Sequence, residues 1–258
     1  MAKIYCMSDI HGFYEEFRKR IDQIKALSGE IDKLILLGDY VDGGPDSFKV
    51  LELIRSLQQR YHEWVIVLMG NHEKWFLDFA GDKDQWGMPD TEDKTLFSFL
   101  SEEQFDNVRK LVLSDTSRNV YTYIRKCIRE SHGDLIDWIR KLPLYYETEK
   151  QIFVHAGIDE EAGEHWKLGT SDYMFLNKYP AETGDFHKDI IAGHVGTAEI
   201  SGNRDFHDIF WDGENHYYCD GTVFVSKKIP VLVYDEDTGK YHSLRDDASL
   251  KTINNRNF

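Results

Sequence analysis

Five short apolar segments each run straight into a residue able to hold a metal or move a proton. Ser8-Asp9-Ile10-His11-Gly12 follows the first, Gly38-Asp39-Tyr40-Val41-Asp42-Gly43-Gly44 the second, and Gly70-Asn71-His72-Glu73 the third. Further on, Ile152-Phe153-Val154 delivers His155-Ala156-Gly157, and Ile190-Ile191-Ala192-Gly193 delivers His194. The candidates are thus Asp9, His11, Asp39, Asp42, Asn71, His72, His155 and His194. Oxygen and nitrogen donors without a thiolate suit Mn²⁺, Fe or Zn²⁺. A carboxylate shared between two such ions, roughly 3.5–4 Å apart, is an arrangement that hydrolyses phosphoryl esters. A single histidine after a strand is ordinarily a surface or capping residue, and glycines there are ordinary turn residues. Repetition at five strand ends is what sets this group apart. His62, His132, His165, His187, His207, His216 and His242 lack that context, and Glu73 reads as a helix-start carboxylate rather than a ligand.

The elements that must position these residues are legible. Lys3 to Met7, Lys33 to Leu37 and Trp64 to Met69 read as strands. Phe13, Phe17, Ile21, Ile24 and Leu27, then Phe48, Leu51, Ile54 and Leu57, recur at helical spacing between them. Asp46 or Ser47 is placed to cap the second helix. The loop motifs lie about 30 residues apart, the length of a βαβ unit. Three such units predict parallel strands with right-handed crossovers in an α/β layered domain. Their carboxyl ends then share one sheet edge, where ligands bind in such folds.

Residues 82 to 140 change character: polar, helix-patterned and without a convincing strand, they read as a helical insertion packed on the sheet. Strand patterns return at Gln151 to Val154, Asp189 to Ala192, Tyr217-Tyr218, Val223 to Val225 and Val231 to Tyr234. Closely spaced short strands near the end suggest hairpins and a second sheet. One domain over 1–245 with a polar, frayed tail over 246–258 is expected.

Composition narrows the function. The 258 residues carry a formal net charge of −15, with 41% hydrophobic and 30% charged residues, the balance of a soluble globular chain. Such acidity argues against a nucleic-acid track or an anionic membrane as partner. No apolar run approaches the ~20 residues of a membrane span, and the N-terminus lacks a signal-peptide pattern. Cys6, Cys127 and Cys219 are odd in number and unpaired by spacing, which fits a reducing cytoplasm. Cys6 reads as a small buried hydrophobe.

The ordered motifs Asp-x-His-Gly, Gly-Asp-x-Val-Asp, Gly-Asn-His-Glu, Val-His-Ala-Gly and Gly-His resemble those of calcineurin-like metallophosphoesterases. Gly-Asn-His-Glu is similar to the phosphoprotein phosphatase branch, including small bacterial and phage serine/threonine phosphatases and symmetrical diadenosine tetraphosphatases. Leu142-Pro143-Leu144-Tyr145-Tyr146, and Asp220-Gly221 before a late strand, are similar to bacterial members. The resemblance covers about residues 3 to 235, weakly over 82 to 130. It implies an α/β sandwich of two mixed sheets flanked by helices. It further implies one metal on Asp9, His11 and Asp39, and a second on Asp39, Asn71, His155 and His194, with Mn²⁺ the foremost candidate. A metal-bridged hydroxide would attack in line, His72 would protonate the leaving oxygen, and Asp42 would orient His72.

The chain departs from the family pattern at its phosphate clamps. Gly43 stands where an arginine follows the second Asp, leaving an open position. Phe175-Leu176-Asn177 puts Asn177 where a second arginine is usual. Arginine's bidentate fork cannot be copied by either residue. Lys74, Lys178 and Arg204 are basic residues near motif ends; Asn177, Lys178 and Lys74 are the candidate substrate contacts, although a solvated surface cation is the commoner role for each lysine. The leading expectation is a phosphomonoesterase acting on phosphoprotein or a small molecule. The alternatives are hydrolysis of a dinucleoside polyphosphate or nucleotide, and a non-catalytic metal-binding protein. Oligomeric state is left open.

Overall fold

The computed structural model describes residues 2–81, 93–114 and 117–253. The strand order in the first sheet is β11-β10-β9-β1-β2-β3. Here β1 (Lys3–Met7), β2 (Lys33–Leu36) and β3 (Val65–Val67) are parallel, and β9 (Leu232–Asp235), β10 (Lys240–Leu244) and β11 (Leu250–Thr252) follow antiparallel. The second sheet runs β4-β5-β6-β8-β7. Its β5 (Gln151–Val154), β6 (Asp189–Ala192) and β8 (His216–Tyr218) are parallel, edged by antiparallel β4 (Tyr145–Glu147) and β7 (Phe210–Trp211). Both sheets are mixed, as the motifs imply.

The period-2 alternation of β1 divides the core. Tyr5 and Met7 face the helical layer with Phe17, Ile21, Val50, Ile54 and Phe76. Ile4 and Cys6 face the second sheet, where they meet Phe153, Ile191 and Tyr217. The helical layer is α1 (Tyr14–Ser28), α2 (Ser47–Tyr61) and α3 (Asn71–Ala80), followed by α4 (Asp93–Ser98), α5 (Glu102–Ser114) and α6 (Ser117–Ile139). The outer face of the second sheet packs Val154 and Ile190 against Trp166 of α7 (Trp166–Gly169) and Phe175 of α8 (Asp172–Asn177). Short helices α9 (Thr197–Ile200) and α10 (Val223–Ser226) complete the chain. Among the described residues no helix is long and apolar enough to cross a membrane.

Four local expectations change. Val223 to Val225 is a helix, not a strand, because Thr222 adopts a left-handed φ of 52° that turns the chain out of the sheet. The last hairpin joins the first sheet through β1 rather than the second. Residues beyond Leu244 do not all fray: β11 pairs with β10, while 254–258 lie outside the described residues. Asp46 occupies the start of α2 without capping it by side chain; its carboxylate instead accepts from Lys49 Nζ at 2.6 Å. The described part of the expected insertion is helical throughout α4, α5 and α6; 82–92 lie outside the described residues.

Candidate metal centre

The parallel strands of both sheets end at one place, and hydrogen bonds lace their loops together. His11 N donates to Asp39 O at 2.9 Å and Gly12 N to Tyr40 O at 2.7 Å. Gly193 N donates to His155 O at 2.8 Å, His194 N to Asp9 Oδ2 at 3.0 Å, and His72 N to Asp39 Oδ1 at 3.1 Å. The turns are tight: Asp9, His11, Asp39, Asp42 and His194 all have left-handed φ values, between 49° and 70°. Each such conformation costs a non-glycine residue roughly 1–2 kcal/mol, and strain of this kind clusters at functional sites. Close approach is equally demanding at Gly70, where a Cβ would lie 2.2 Å from Asp39 Oδ1.

Glu73 organises the second loop. Wholly buried, its carboxylate accepts from Asp39 N at 2.8 Å, Tyr40 N at 2.7 Å, Val41 N at 3.2 Å and Gly70 N at 3.0 Å. Beyond starting its helix, Glu73 gathers the amides of the loop that presents Asp39 and Asp42.

All eight candidates converge. In each of two groups, His11–Asp39–His72 and Asp39–His155–His194, the ligand atoms lie within 4.8 Å of one another, and the groups share Asp39. Asp9 Oδ1 stands 3.8 Å from His11 Nε2. The ring tautomers follow from the partners. A carbonyl oxygen can only accept, so His11 Nδ1 donates to Val41 O at 3.0 Å, and His155 Nδ1 donates to Leu37 O at 3.2 Å. Each ring then presents an unprotonated Nε2 to the centre. His155 Nε2 faces Asn71 Oδ1 at 2.8 Å and Asp39 Oδ1 at 3.4 Å.

Electrostatics point the same way. Burial, then the neighbouring His72, pushes His11 down to about 3; burial and His72 bring His194 to about 4; and His155 falls well below its ordinary value on burial. Neutral imidazoles are what a metal requires. Burial first, and then Asp220, drives Asp9 well up; burial and Asp9 do the same to Asp39. Buried carboxylates crowded against one another call for a cation. Donor set, tautomers and uncompensated charge therefore fit a pair of divalent ions.

His72 differs from the other rings. Its Nδ1 donates to Asp42 Oδ2 at 2.7 Å, and its Nε2 is 3.8 Å from Asp39 Oδ2. Asp42 N in turn donates to Thr95 Oγ1 at 2.9 Å and Ser47 Oγ at 3.2 Å. Thr95 belongs to α4, so the helical insertion helps hold the His72–Asp42 pair. No sequence signal identifies Thr95. Asp220, also missed as a site residue, carries the same strand-end signature, following β8 as Asp9 follows β1. It is buried, which pushes it up to about 6.

The expected substrate contacts each have a protein partner in this structure or lie exposed. Lys178 Nζ donates to Ile158 O at 2.5 Å and pairs with Glu160 at 3.3 Å and with Glu182. Lys74 pairs with Asp78 at 2.5 Å. Asn177 Nδ2 donates to Tyr173 O at 3.1 Å, within its own helix. Arg204 lies in an exposed turn. Gly43 is not open either: its φ is +82°, and a Cβ there would meet Phe224 Cδ1 at 3.0 Å. The ring of Phe224 occupies the room a side chain at position 43 would need.

A sequence model of the calcineurin-like phosphoesterases matches residues 2–223. The chain belongs to the calcineurin-like phosphoesterase family. It is 30% identical over 169 residues to a symmetrical bis(5'-nucleosyl)-tetraphosphatase of Erwinia tasmaniensis, covering 65% of this chain and 47% of that protein. It is 28% identical over 155 residues to the protein of the same name from Nitrosospira multiformis, covering 60% and 43%. The chain thus spans about half the length of the curated relatives it matches. In fold it is similar to a cold-active protein-tyrosine phosphatase of a Shewanella species, with a TM-score of 0.63 at 15% identity, covering 98% of this chain and 81% of that one.

Proposed function

We propose that this protein hydrolyses a dinucleoside polyphosphate, splitting a tetraphosphate symmetrically into two nucleoside diphosphates. Water adds to one of the two central phosphorus atoms, and the bridging P–O bond between them breaks. The similarity to two bacterial proteins named symmetrical bis(5'-nucleosyl)-tetraphosphatases carries the choice of substrate, and it reverses the order in which the residues alone rank phosphomonoester and dinucleotide.

The site supports phosphoester chemistry on its own terms. When bound, two divalent cations supply charge neutralisation and an acidified water. Asp39, common to both donor groups, would hold them together, with Asp9 and His11 on one side and Asn71, His155 and His194 on the other. His72 Nε2 is aimed at the centre and carries the proton for the departing oxygen. Asp42 fixes the ring so that Nδ1 keeps its own proton, as an orienting carboxylate does.

Incubating the Mn²⁺-loaded protein with diadenosine tetraphosphate, a phosphoserine peptide and a phosphodiester, and identifying products by chromatography, tests the reading. ADP as the sole nucleotide product, with kcat/KM above that of the peptide, is expected. Turnover of the peptide but not of the tetraphosphate would overturn it.

A further inference from the structure

An aromatic face stands open beside the centre, and the family motifs do not account for it. Left-handed Thr222 sends Val223 inward, wholly buried, and Phe224 outward, 48% exposed. The Phe224 ring lies 5.0 Å from the His11 ring, centre to centre. His11 is followed edge-on by His72 at 4.8 Å, and His72 by Trp75 at 4.4 Å. A continuous row of rings therefore passes the donor cluster, with Phe224 at its open end. Lys94 Nζ, carried in by α4, donates to Gly43 O at 3.2 Å and is exposed. A cation thus sits on the very loop from which the family's arginine is absent.

An aromatic ring left 48% exposed beside the donor cluster keeps apolar surface that a bound ligand would cover. Its chemistry suits a flat π-system: bases stack on such rings irrespective of sequence. We propose that Phe224 stacks against a nucleobase of the substrate while the Lys94 ammonium meets the phosphate chain, the two together standing in for the arginine fork. The proposal rests on the dinucleotide reading and deepens it by assigning the base subsite. Glycine at position 43 suits both its φ of +82° and the Phe224 ring, which a Cβ would meet at 3.0 Å. A point charge on a flexible stem follows a long polyphosphate, whereas a rigid fork matches one terminal phosphoryl group.

Binding measurements test this without turnover of the proposed substrate. Calorimetric titration of the Mn²⁺-loaded protein with ADP and with inorganic pyrophosphate compares nearly the same phosphates with and without a nucleoside. Wild type should prefer ADP. Phe224→Leu should shrink the ADP-to-pyrophosphate preference by about 5- to 150-fold, the span of base–aromatic stacking, and Phe224→Tyr should retain it. Lys94→Gln should weaken both ligands alike. Thermal unfolding of each variant controls for folding, and the exposure of both side chains favours intact folds. A preference unaltered by Phe224→Leu, or equal pyrophosphate affinity in wild type and Lys94→Gln, overturns the proposal. Should tetraphosphate hydrolysis be absent while the Phe224-dependent preference persists, the function falls and the base subsite stands. Hydrolysis with a preference indifferent to Phe224 gives the opposite result.

Discussion

His72 Nδ1 lies 2.7 Å from Asp42 Oδ2, and that carboxylate is buried. The bond holds the ring through Nδ1 and turns Nε2 toward the centre, so that the imidazolium form of the proposed mechanism would offer its second proton there. The importance of that proton depends on the leaving group. A serine alkoxide needs protonation, while a nucleoside diphosphate departs readily as an anion. His72→Asn should therefore lower kcat by ~10²–10⁴ on a phosphoserine peptide, the usual span for a general acid, and by clearly less on diadenosine tetraphosphate. Steady-state kinetics on both substrates decide it; equal losses would contradict the acid role.

Asp39 is shared by both donor groups, so its charge should serve two ions. Asp39→Asn is expected to empty both sites, whereas His155→Ala should mainly empty one. Elemental analysis after dialysis reads the stoichiometry. Two retained metals in the Asp39 variant would remove it from the bridging position.

Glu73 is a stability residue with a functional consequence. Glu73→Gln turns an amide N–H₂ toward backbone N–H groups that now find a carboxylate, and an unpaired buried donor costs about 1–3 kcal/mol. We expect a loss of about 3 kcal/mol in urea unfolding, accompanied by weaker metal binding because the Asp39 loop loosens. A variant as stable as wild type would show that the four amides need no anion.

Restoring an arginine at position 43 should not improve the enzyme. Gly43 has φ +82°, and a Cβ would press on Phe224 at 3.0 Å. Gly43→Arg thus meets both backbone strain and a collision. The expected result is a lower Tm and no gain in monoester kcat/KM; a gain in a fully folded variant would show that the ring yields at little cost.

His216 provides a pH test remote from the centre. It is buried between Asp212, 3.0 Å away, and Glu160, 3.1 Å away. Burial opposes its charge, but the bond and charge of Glu160, joined by Asp212, outweigh it and raise its pKa. A raised folded pKa stabilises fully below the unfolded value near 6.5 and is lost as pH climbs through the folded value. The Tm difference between wild type and His216→Asn should accordingly be larger at pH 6 than at pH 9. A difference independent of pH would mean that the ring is held for shape alone.

What the sequence determined by itself is the set of donors and the edge they share. Apolar β1, β2, β3, β5 and β6 each end in their motif, and parallel strands put their carboxyl ends on one side, so convergence within each sheet follows from chain direction, while the meeting of the two sheets' edges is set by their packing. Asp9, His11, Asp39, Asn71, His155 and His194 are legible for that reason, and Asp220 was legible by the same rule. Contacts between residues distant in the chain were not. Thr95 reaches Asp42 across 53 positions, and Phe224 fills the space above Gly43 from the far end of the domain. Lys178 pairs with Glu160 and Glu182, a partnership its place in the sequence does not announce. Local pattern reports which way a strand runs and what stands at its end. Which side chain occupies a given few ångströms depends on how separate layers pack, and that packing exists only in the tertiary structure.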